Sequence, residues 1–176
     1  MSTLHREPAT KRPDLLAEPV RQALADLPAD TAALFEVAEI DPALADTEAL
    51  CRAFDLPLEA SANCVLVTGK RAGELRPAAV LVQASRRADI NNVVRRHLDV
   101  RKISFTASEE ATAASGMEYG GITPVGLPAG WPVLVDEGVV TEPEVCIGSG
   151  VRRSKLFVPG HVMGELPTAT VLQLAL

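Results

Sequence analysis

The segment Gly116–Pro128 reads GMEYGGITPVGLP and is the most informative stretch of the chain. It holds four glycines, two prolines and the only tyrosine of the protein. Glycine lets the backbone reach positive φ and come close to a ligand, whereas proline fixes φ and stiffens the loop. Such a loop can direct backbone N–H groups at an oxyanion or a phosphate. The alternative interpretation is a structural turn between a helix and a strand.

Regular elements are predicted on both sides of this loop. Before it, Thr106–Glu109 matches a capping box and predicts a helix that ends at Gly116. After it, apolar runs predict four strands and one short helix. The strands are expected at Pro132–Val135, Val145–Gly148, Leu156–Val158 and Ala169–Leu174, and the helix at His161–Leu166.

A β-hairpin is the clearest prediction upstream of the loop. The apolar runs Val65–Val67 and Pro77–Val82 are its strands, and Gly69–Gly73 is its turn. Asp89 is expected to cap the helix that follows, and Lys102–Phe105 alternates like a short strand. Together these elements indicate a mixed sheet with peripheral helices.

The N-terminal part is acidic and mainly helical in its pattern. Residues 14–27 have helical spacing, residues 34–40 can form a strand, and Asp46 can cap a short helix. Residues 1–13 are polar and charged, and we expect a mobile tail there. The predicted organisation is a tail (1–13) and one domain (14–176), whose acidic N-terminal part covers 14–60 and whose core covers 61–176.

Composition excludes several classes of protein. A chain of 176 residues can bury a full core. No apolar run reaches the length of a membrane span, and the first residues lack the apolar stretch of a secretory signal. Three cysteines without metal-like spacing argue against a disulfide framework and a zinc site. These observations predict a cytoplasmic protein without a metal.

Charge is distributed unevenly along the chain. The net charge of −6 speaks against a dedicated nucleic-acid binder. Residues 1–60 carry 5 basic and 12 acidic side chains, but residues 61–176 carry 12 basic and 11 acidic ones. Basic clusters in the second part can neutralise RNA phosphates, or can be solvated faces paired with carboxylates. They are Arg86-Arg87, Arg95-Arg96-His97, Arg101-Lys102, and Arg152-Arg153 with Lys155.

Three motifs follow one another in the second part. Gly120–Pro124 fits a GxxxP loop, Pro132–Glu137 reads PVLVDE, and Ile147–Arg152 reads IGSGVR just before Lys155-Leu156. With the hairpin ahead of them, their order and spacing resemble the YbaK/ProX family from about residue 62 to the C terminus. These proteins are aminoacyl-tRNA editing deacylases related to the insertion domain of bacterial prolyl-tRNA synthetases.

The resemblance implies a fold and a reaction. The fold is a compact α/β (α+β) domain with a curved, mixed, barrel-like sheet flanked by helices. The reaction is hydrolysis, in trans, of the ester that joins a wrong amino acid to the 3′ end of tRNA. No cofactor is implied. The expected partners are the aminoacylated tRNA 3′ end and, as a further candidate, a synthetase; no membrane is expected, and the protein would be a monomer or a homodimer.

The GxxxP loop supplies the first group of site residues. Ester hydrolysis passes through a tetrahedral oxyanion, which preorganised donors stabilise. Gly120 and Gly121 can offer backbone N–H groups, Thr123 can add a hydroxyl, and Pro124 is expected to contact the substrate. The alternative for Thr123 is a hydroxyl that only satisfies the loop backbone.

The second group of site residues lies in the IGSGVR motif. Gly148, Ser149 and Gly150 are expected to receive the ribose or terminal phosphate, with Arg152 as a charge-assisted donor. The alternative is a tight turn between two strands with a surface arginine.

Asn63 is a departure from the family pattern. Many members carry a lysine on the first hairpin strand, in a Lys-Thr-like pair, where this chain has Asn63-Cys64. Asn63 can orient a substrate by hydrogen bonds but supplies no cation. Lys102 or Arg152 would then provide the charge, or the activity is altered or lost. The alternative function is therefore a non-catalytic protein of the same fold that binds aminoacyl-adenosine, tRNA or a synthetase.

Other candidates for chemistry are weaker. Cys64 can be a nucleophile with His97 or His161 as base, but its apolar neighbours favour a buried, inert thiol. No general base is evident, which fits the family's use of the tRNA 2′-hydroxyl and a bound water. Tyr119 and Trp131 can stack on a base or cover the edge of the core.

Overall fold

Two β-sheets organise the computed structural model, which describes residues 3–176. The strands are β1 (Arg6–Pro8), β2 (Glu36–Glu39), β3 (Ala62–Arg71), β4 (Glu74–Gln83), β5 (Lys102–Phe105), β6 (Val133–Asp136), β7 (Val145–Gly148), β8 (Ser154–Val158) and β9 (Ala169–Leu172). The first sheet has the order β1-β2-β8-β7 and the second the order β5-β3-β4-β6-β9. All pairs are antiparallel except β4–β6 and β6–β9.

This arrangement confirms the mixed α/β class and corrects its detail. The two sheets are separate ladders, and an isolated bridge between Ser61 and Cys146 joins them beside the start of β3. The expected single barrel-like sheet is thus a pair of sheets that does not close into a barrel.

Short helices surround the sheets. The α-helices are α1 (Glu18–Asp26), α2 (Ala29–Ala32), α3 (Thr47–Phe54), α4 (Arg95–His97), α5 (Ser108–Ser115), α6 (Glu137–Thr141) and α7 (Gly160–Gly164). The segments Ala9–Lys11, Pro13–Leu15, Pro42–Leu44 and Leu58–Ala60 are 3₁₀-helical, and Ile90–Val94 is a π-helical turn that leads into α4. Within residues 3–176, no helix combines the length and apolarity needed to cross a bilayer.

The predicted hairpin is the longest pairing in the structure. Ten residues of β3 pair with ten of β4, and the turn uses positive φ at Ala72 (+50°) and Gly73 (+83°), as a two-residue hairpin turn requires. Both faces of β4 are covered, because Ala79 and Leu81 lie in one apolar cluster while Ala78 and Val80 lie in another. A strand buried on both faces explains the continuous apolar run of the sequence.

Three apolar clusters form the core of residues 3–176. The main cluster lies between the sheets and includes Val20, Leu81, Val135 and Leu156. A second cluster lies under the helical segment 90–98, and a third lies under α3 around Leu50 and Phe157. The candidate site borders the third cluster.

The expected mobile tail over residues 1–13 is wrong for residues 6–13. β1 pairs with β2, Ala9 is fully buried, and the Arg6 guanidinium lies 3.7 Å from the centre of the Phe157 ring. Polar side chains misled the prediction because they point outward or form ion pairs, such as Arg6–Glu144 at 2.6 Å, while the backbone completes a sheet. The prediction for Met1 and Ser2 lies outside the described residues.

Helix caps were predicted with mixed success. Asp46 accepts a hydrogen bond from the Ala49 N–H, and Asp89 accepts one from the Asn92 N–H, so both predicted caps are confirmed. The capping box at Thr106 is wrong, since α5 begins after Ala107 and has no side-chain cap. The Thr106 hydroxyl lies 2.9 Å from the Thr68 hydroxyl instead. The predicted end of α5 at Gly116 is confirmed by its φ of +69°.

Candidate functional site

The glycine-rich loop is fastened to the turn between β7 and β8. The Glu118 N–H donates to Gly150 O (2.9 Å), and the Gly150 N–H donates to Gly121 O (2.7 Å). These two bonds hold the loop and the turn as one unit, so the two sequence motifs that predicted a site do lie together.

Gly121 has a packing role rather than the donor role expected from the sequence. Its N–H donates to Glu118 O at 2.9 Å and is therefore not available to a substrate. A Cβ at this position would lie 2.8 Å from the Val151 backbone, so only glycine lets the loop approach the turn this closely. The expectation that Gly121 provides an oxyanion donor is corrected on this ground.

The backbone N–H of Gly120 remains a candidate donor to a substrate. It is exposed, has a φ of +82°, and its N–H has no hydrogen-bond acceptor within residues 3–176. A Cβ here would lie 2.5 Å from Nη1 of Arg152. The exposed end of the loop therefore combines a free backbone donor with a neighbouring guanidinium.

Arg152 connects the loop to the N-terminal half of the chain. Its side chain donates from Nη1 to Tyr119 O (3.0 Å) and from Nη2 to Pro42 O (3.1 Å), and its N–H donates to the Glu118 carboxylate (2.8 Å). The predicted site residue is thus present, but much of its hydrogen-bonding capacity holds the site together.

The turn Gly148–Gly150 is a buried platform, not the open cradle expected for a ribose or phosphate. A Cβ at Gly148 would lie 2.5 Å from Gly121 O, and one at Gly150 would overlap the Ala17 side chain. Ser149 is fully buried, and its hydroxyl pairs with the Ser154 hydroxyl at 2.7 Å. The glycines are needed because the loop and α1 press on the turn from both sides.

Asn63 lies at the start of β3 and is tied to the first turn of α3. The Thr47 hydroxyl donates to Oδ1 of Asn63 at 2.7 Å. The residue is half-buried, and its amide N–H groups have no acceptor among the described residues. Asn63 is therefore held in place by its oxygen and keeps two donors free.

Lys155 is a candidate site residue that sequence reasoning missed, because it was grouped with the surface cluster of Arg152 and Arg153. Its residue is only 6% exposed, and Nζ donates to Ala45 O at 2.8 Å. Burial lowers the pKa of Lys155 below its ordinary value. The available signal was its place in the strand Ser154–Val158, whose other residues are small or apolar.

Thr123 and Pro124 lie on the inner side of the loop. Thr123 is fully buried, and its hydroxyl has no hydrogen-bond partner within the described part of the chain. The alternative that it satisfies the loop backbone is therefore wrong. Pro124 borders a cavity of about 190 Å³ that it shares with Leu127, Trp131 and Leu166.

Lys102 lies outside the site. It is exposed on β5 and stands opposite Lys70 of β3. Seven residues of one strand separate Lys70 from Asn63, a distance of about 23 Å along the strand. The expectation that Lys102 supplies charge at Asn63 is therefore wrong.

The cysteines and histidines do not form a nucleophilic site. Burial raises the pKa of Cys64 and of Cys146 to about 12, so both thiols stay protonated and unreactive at neutral pH. The His161 Nε2 lies 4.0 Å from the Glu165 carboxylate on an exposed helix surface. Across residues 3–176 no three metal-ligating side chains converge.

The sequence of this chain matches one protein family. The family profile described as aminoacyl-tRNA editing domain covers residues 41–163. This chain belongs to the aminoacyl-tRNA editing domain family. The matched range contains the Pro42–Thr47 segment, Asn63, the glycine-rich loop and Lys155, and it confirms the resemblance seen in the sequence motifs. No curated protein sequence is significantly similar to the chain.

Solved structures share the fold at low identity. A candidate trans-editing enzyme for prolyl-tRNA synthetase has a TM-score of 0.75 and 20% identity, with 92% of this chain and 99% of that one covered. A protein described as hypothetical has a TM-score of 0.77 and 17% identity, with 90% and 100% covered. A candidate signal transduction protein from Marinobacter aquaeolei has a TM-score of 0.57 and 18% identity, with 90% of this chain but 30% of that one covered.

Proposed function

We propose that the protein is a trans-acting aminoacyl-tRNA deacylase that hydrolyses the ester between a mischarged amino acid and the tRNA 3′-terminal adenosine. The observation that carries the proposal is the pair of accessible donors inside the family match: the Gly120 N–H and the Asn63 amide, neither of which has an acceptor within residues 3–176. Preorganised donors without protein partners are what a developing oxyanion needs.

The reaction is a simple hydrolysis. A water oxygen bonds to the carbonyl carbon while the carbonyl electron pair moves onto its oxygen. The carbon–oxygen bond to the ribose then breaks, and the ribose oxygen takes a proton that came from the water. The products are a free amino acid and an uncharged tRNA end, so neither an oxidant nor a cofactor is required.

The proton acceptor is proposed to come from the substrate. Near the loop, the Glu118 carboxylate already accepts the Arg152 N–H, and the Cys64 thiol is held protonated by burial. The tRNA 2′-hydroxyl, acting with a bound water, is the remaining group at the ester. The free donors of the site would hold the ester while this hydroxyl positions the water.

Partner contacts are proposed on the exposed side of the loop. Tyr119 is 66% exposed and lies beside Arg152, so its ring can stack on the terminal base. Arg86, Arg87, Arg95 and Arg96 can neutralise phosphates of the tRNA. We propose that the pocket selects amino acids by size. Selection by size discriminates by only a few kcal/mol, so it is useful as a second selection step after the synthetase has charged the tRNA.

The deciding experiment is deacylation of a panel of purified mischarged tRNAs, starting with alanyl- and cysteinyl-tRNA specific for proline. We expect one member to lose its amino acid faster than in buffer alone. A folded protein that binds the tRNAs but turns over none of them would contradict the deacylase and favour the binding protein.

Thr123→Val tests whether the buried hydroxyl serves the substrate. Valine has nearly the same shape, and the hydroxyl has no protein partner to lose, so stability should stay equal or rise by about 1 kcal/mol. If the hydroxyl contacts the substrate, kcat should fall at least ~10-fold. Thr112→Val is the matched control, because the Thr112 hydroxyl bonds only carbonyls of its own helix. Unchanged kcat in both variants would remove Thr123 from the site.

A further inference from the structure

Lys155 carries a buried charge that the protein does not pair. The residue is 6% exposed, and its ammonium makes one hydrogen bond, to Ala45 O at 2.8 Å. It takes part in no salt bridge within residues 3–176. An ammonium has three N–H donors, so two of them have no protein acceptor. Burying an unpaired charge makes a large unfavourable contribution to the free energy of folding.

Small residues flank Lys155 on both neighbouring strands. Its cross-strand neighbours are Gly148 on β7 and Ala38 on β2, which have the smallest side chains available. The carbonyls of Gly121 and Ile122 lie directly over Gly148, within 2.7 Å of where a Cβ would be. Lys155 therefore lies beside the floor of the glycine-rich loop.

The segment Ala45–Thr47 brings Lys155 and Asn63 to the same place. Ala45 O accepts from the Lys155 ammonium, and the Thr47 hydroxyl donates to Asn63 Oδ1. Ala45 and Thr47 are two positions apart, so one short segment supplies a hydrogen bond to each of these side chains. Their remaining N–H donors have no acceptor among residues 3–176.

In the part of the chain that the structure describes, no neighbouring carboxylate forms an ion pair with the ammonium. Asp46, from the start of α3, attracts it, but its exposed carboxylate accepts the Ala49 N–H. Arg152 repels it from the turn before β8, the Cys51 thiol on α3 also faces it, and the Cys146 thiol on β7, whose pKa is raised to about 12 by burial, is protonated near neutral pH. The ammonium therefore has no carboxylate partner among residues 3–176.

We propose that Lys155 donates to the carbonyl oxygen of the bound ester and stabilises the negative charge that forms there. This inference rests on the proposed deacylase function. Charge on this oxygen appears only as water adds to the carbon, and a fixed cation in a low-dielectric site is most effective against charge that develops during the reaction. The ammonium keeps its proton throughout, and the proton balance is that of the hydrolysis given above.

Lys155→Met separates this role from a structural one. Methionine keeps a long side chain but removes the buried charge, so the urea midpoint of unfolding should equal or exceed that of the parent. We expect kcat to fall ~100- to 1,000-fold, with KM changed less than about threefold. Lys11→Met, on the exposed N-terminal 3₁₀ turn, should leave kcat, KM and the midpoint unchanged.

Two results of this comparison would overturn the inference. A variant that unfolds more easily and loses activity in proportion would show a structural lysine. A variant with parental kcat and a raised KM would show that Lys155 binds a ground-state anion such as the terminal phosphate.

The pH dependence of kcat gives an independent readout. Because burial lowers the pKa of Lys155, the parental kcat should fall as the pH rises through that lowered value. Lys155→Arg keeps its charge over the same range, so its kcat should be smaller but flat. A parental profile without this fall would contradict the proposal.

Binding of two inert ligands makes the test independent of turnover. One is an adenosine carrying the amino acid as a 3′-amide, which is planar and neutral, and the other carries it as a tetrahedral, anionic phosphonate. The parent should prefer the phosphonate, and Lys155→Met should lose ~100-fold affinity for it while binding the amide normally. If the parent deacylates no tRNA but shows this pattern, the deacylase proposal fails, whereas Lys155 is still shown to bind a tetrahedral oxyanion in this site. If the variant binds both ligands like the parent, or the parent binds neither, the Lys155 proposal fails.

Discussion

Gly120 and Gly130 have nearly the same backbone conformation, with φ of +82° and +80°, but very different surroundings. Gly120 faces the Arg152 guanidinium, whereas a Cβ at Gly130 would meet nothing within 4 Å. The pair shows how one residue type serves two purposes, a turn in one place and a close approach in the other. At the residue scale, function depends on which atoms a glycine allows nearby.

Alanine at these two positions gives a matched test of the loop. Both Gly120→Ala and Gly130→Ala should lose about 1–2 kcal/mol of stability, because alanine is strained at positive φ. Gly120→Ala should in addition lower kcat/KM at least ~10-fold, since its methyl displaces Arg152 and covers the free N–H. Deacylation rates and urea unfolding of both variants measure this. Equal activity of the two variants would place the reaction elsewhere.

Single residues were predicted unevenly from the sequence. The loop that holds Gly120 and the cap Asp46 could be read directly, because glycine and aspartate have strong local preferences. Gly121 was correctly predicted to lie in the loop but wrongly predicted to donate to the oxyanion. Its N–H bonds to Glu118 O, and this bond depends on how the loop folds back. Lys155 was missed because the burial of a side chain depends on how distant elements pack around it, not on the residue type or its neighbours in the sequence.

Strand β1 shows that an element can be essential to a sheet without looking like one in the sequence. Only three residues, Arg6–Pro8, pair with β2, and the following Ala9 is fully buried. Charged side chains conceal this pairing, because they bond to carboxylates at the surface while the backbone completes the sheet. Edge strands of this kind carry weak apolar signals.

Removal of β1 should destabilise the protein. Deleting residues 1–11 removes the backbone pairing with β2 and the Arg6 contact over Phe157, and we expect a loss of about 2 kcal/mol or more. Deleting only residues 1–3 leaves β1 intact and serves as the control. Urea unfolding measures both, and equal midpoints would show that β1 contributes nothing to stability.

Packing of the elements against one another buries thiols in the protonated form, and this affects how the stability of the protein depends on pH. Cys64 on β3 has a pKa raised to about 12 by burial alone, from an ordinary value of 9.0. Between these values the unfolded chain has lost the thiol proton while the folded protein retains it. The folded state then binds more protons, so stability falls as the pH rises above about 9.

Cys64→Ala should remove this contribution. At pH 8 the free energies of unfolding of variant and parent should differ only because the side chain at position 64 packs differently. Above pH 9 the parent should lose up to roughly 1 kcal/mol per pH unit relative to the variant. Urea unfolding at pH 8 to 10.5 measures the difference. The lowered pKa of Lys155 makes stability rise with pH, which is the opposite effect. This contribution is the same in the parent and the variant, so it cancels in their difference. A constant difference over this range would show that the Cys64 thiol is not buried from solvent in the folded protein.

The sequence by itself determined the local features of this protein and its family. Alternating and continuous apolar runs predicted the long hairpin and the later strands, glycines and prolines predicted the loop, and motif order indicated an editing domain, because each signal lies within a few neighbouring residues. Only the tertiary structure decided which polar groups meet. Lys155 and Arg152 each bond to a carbonyl 110 residues away, and Asn63 is held by Thr47 from another element. Such contacts depend on how separate elements pack, and no local pattern in the chain records them.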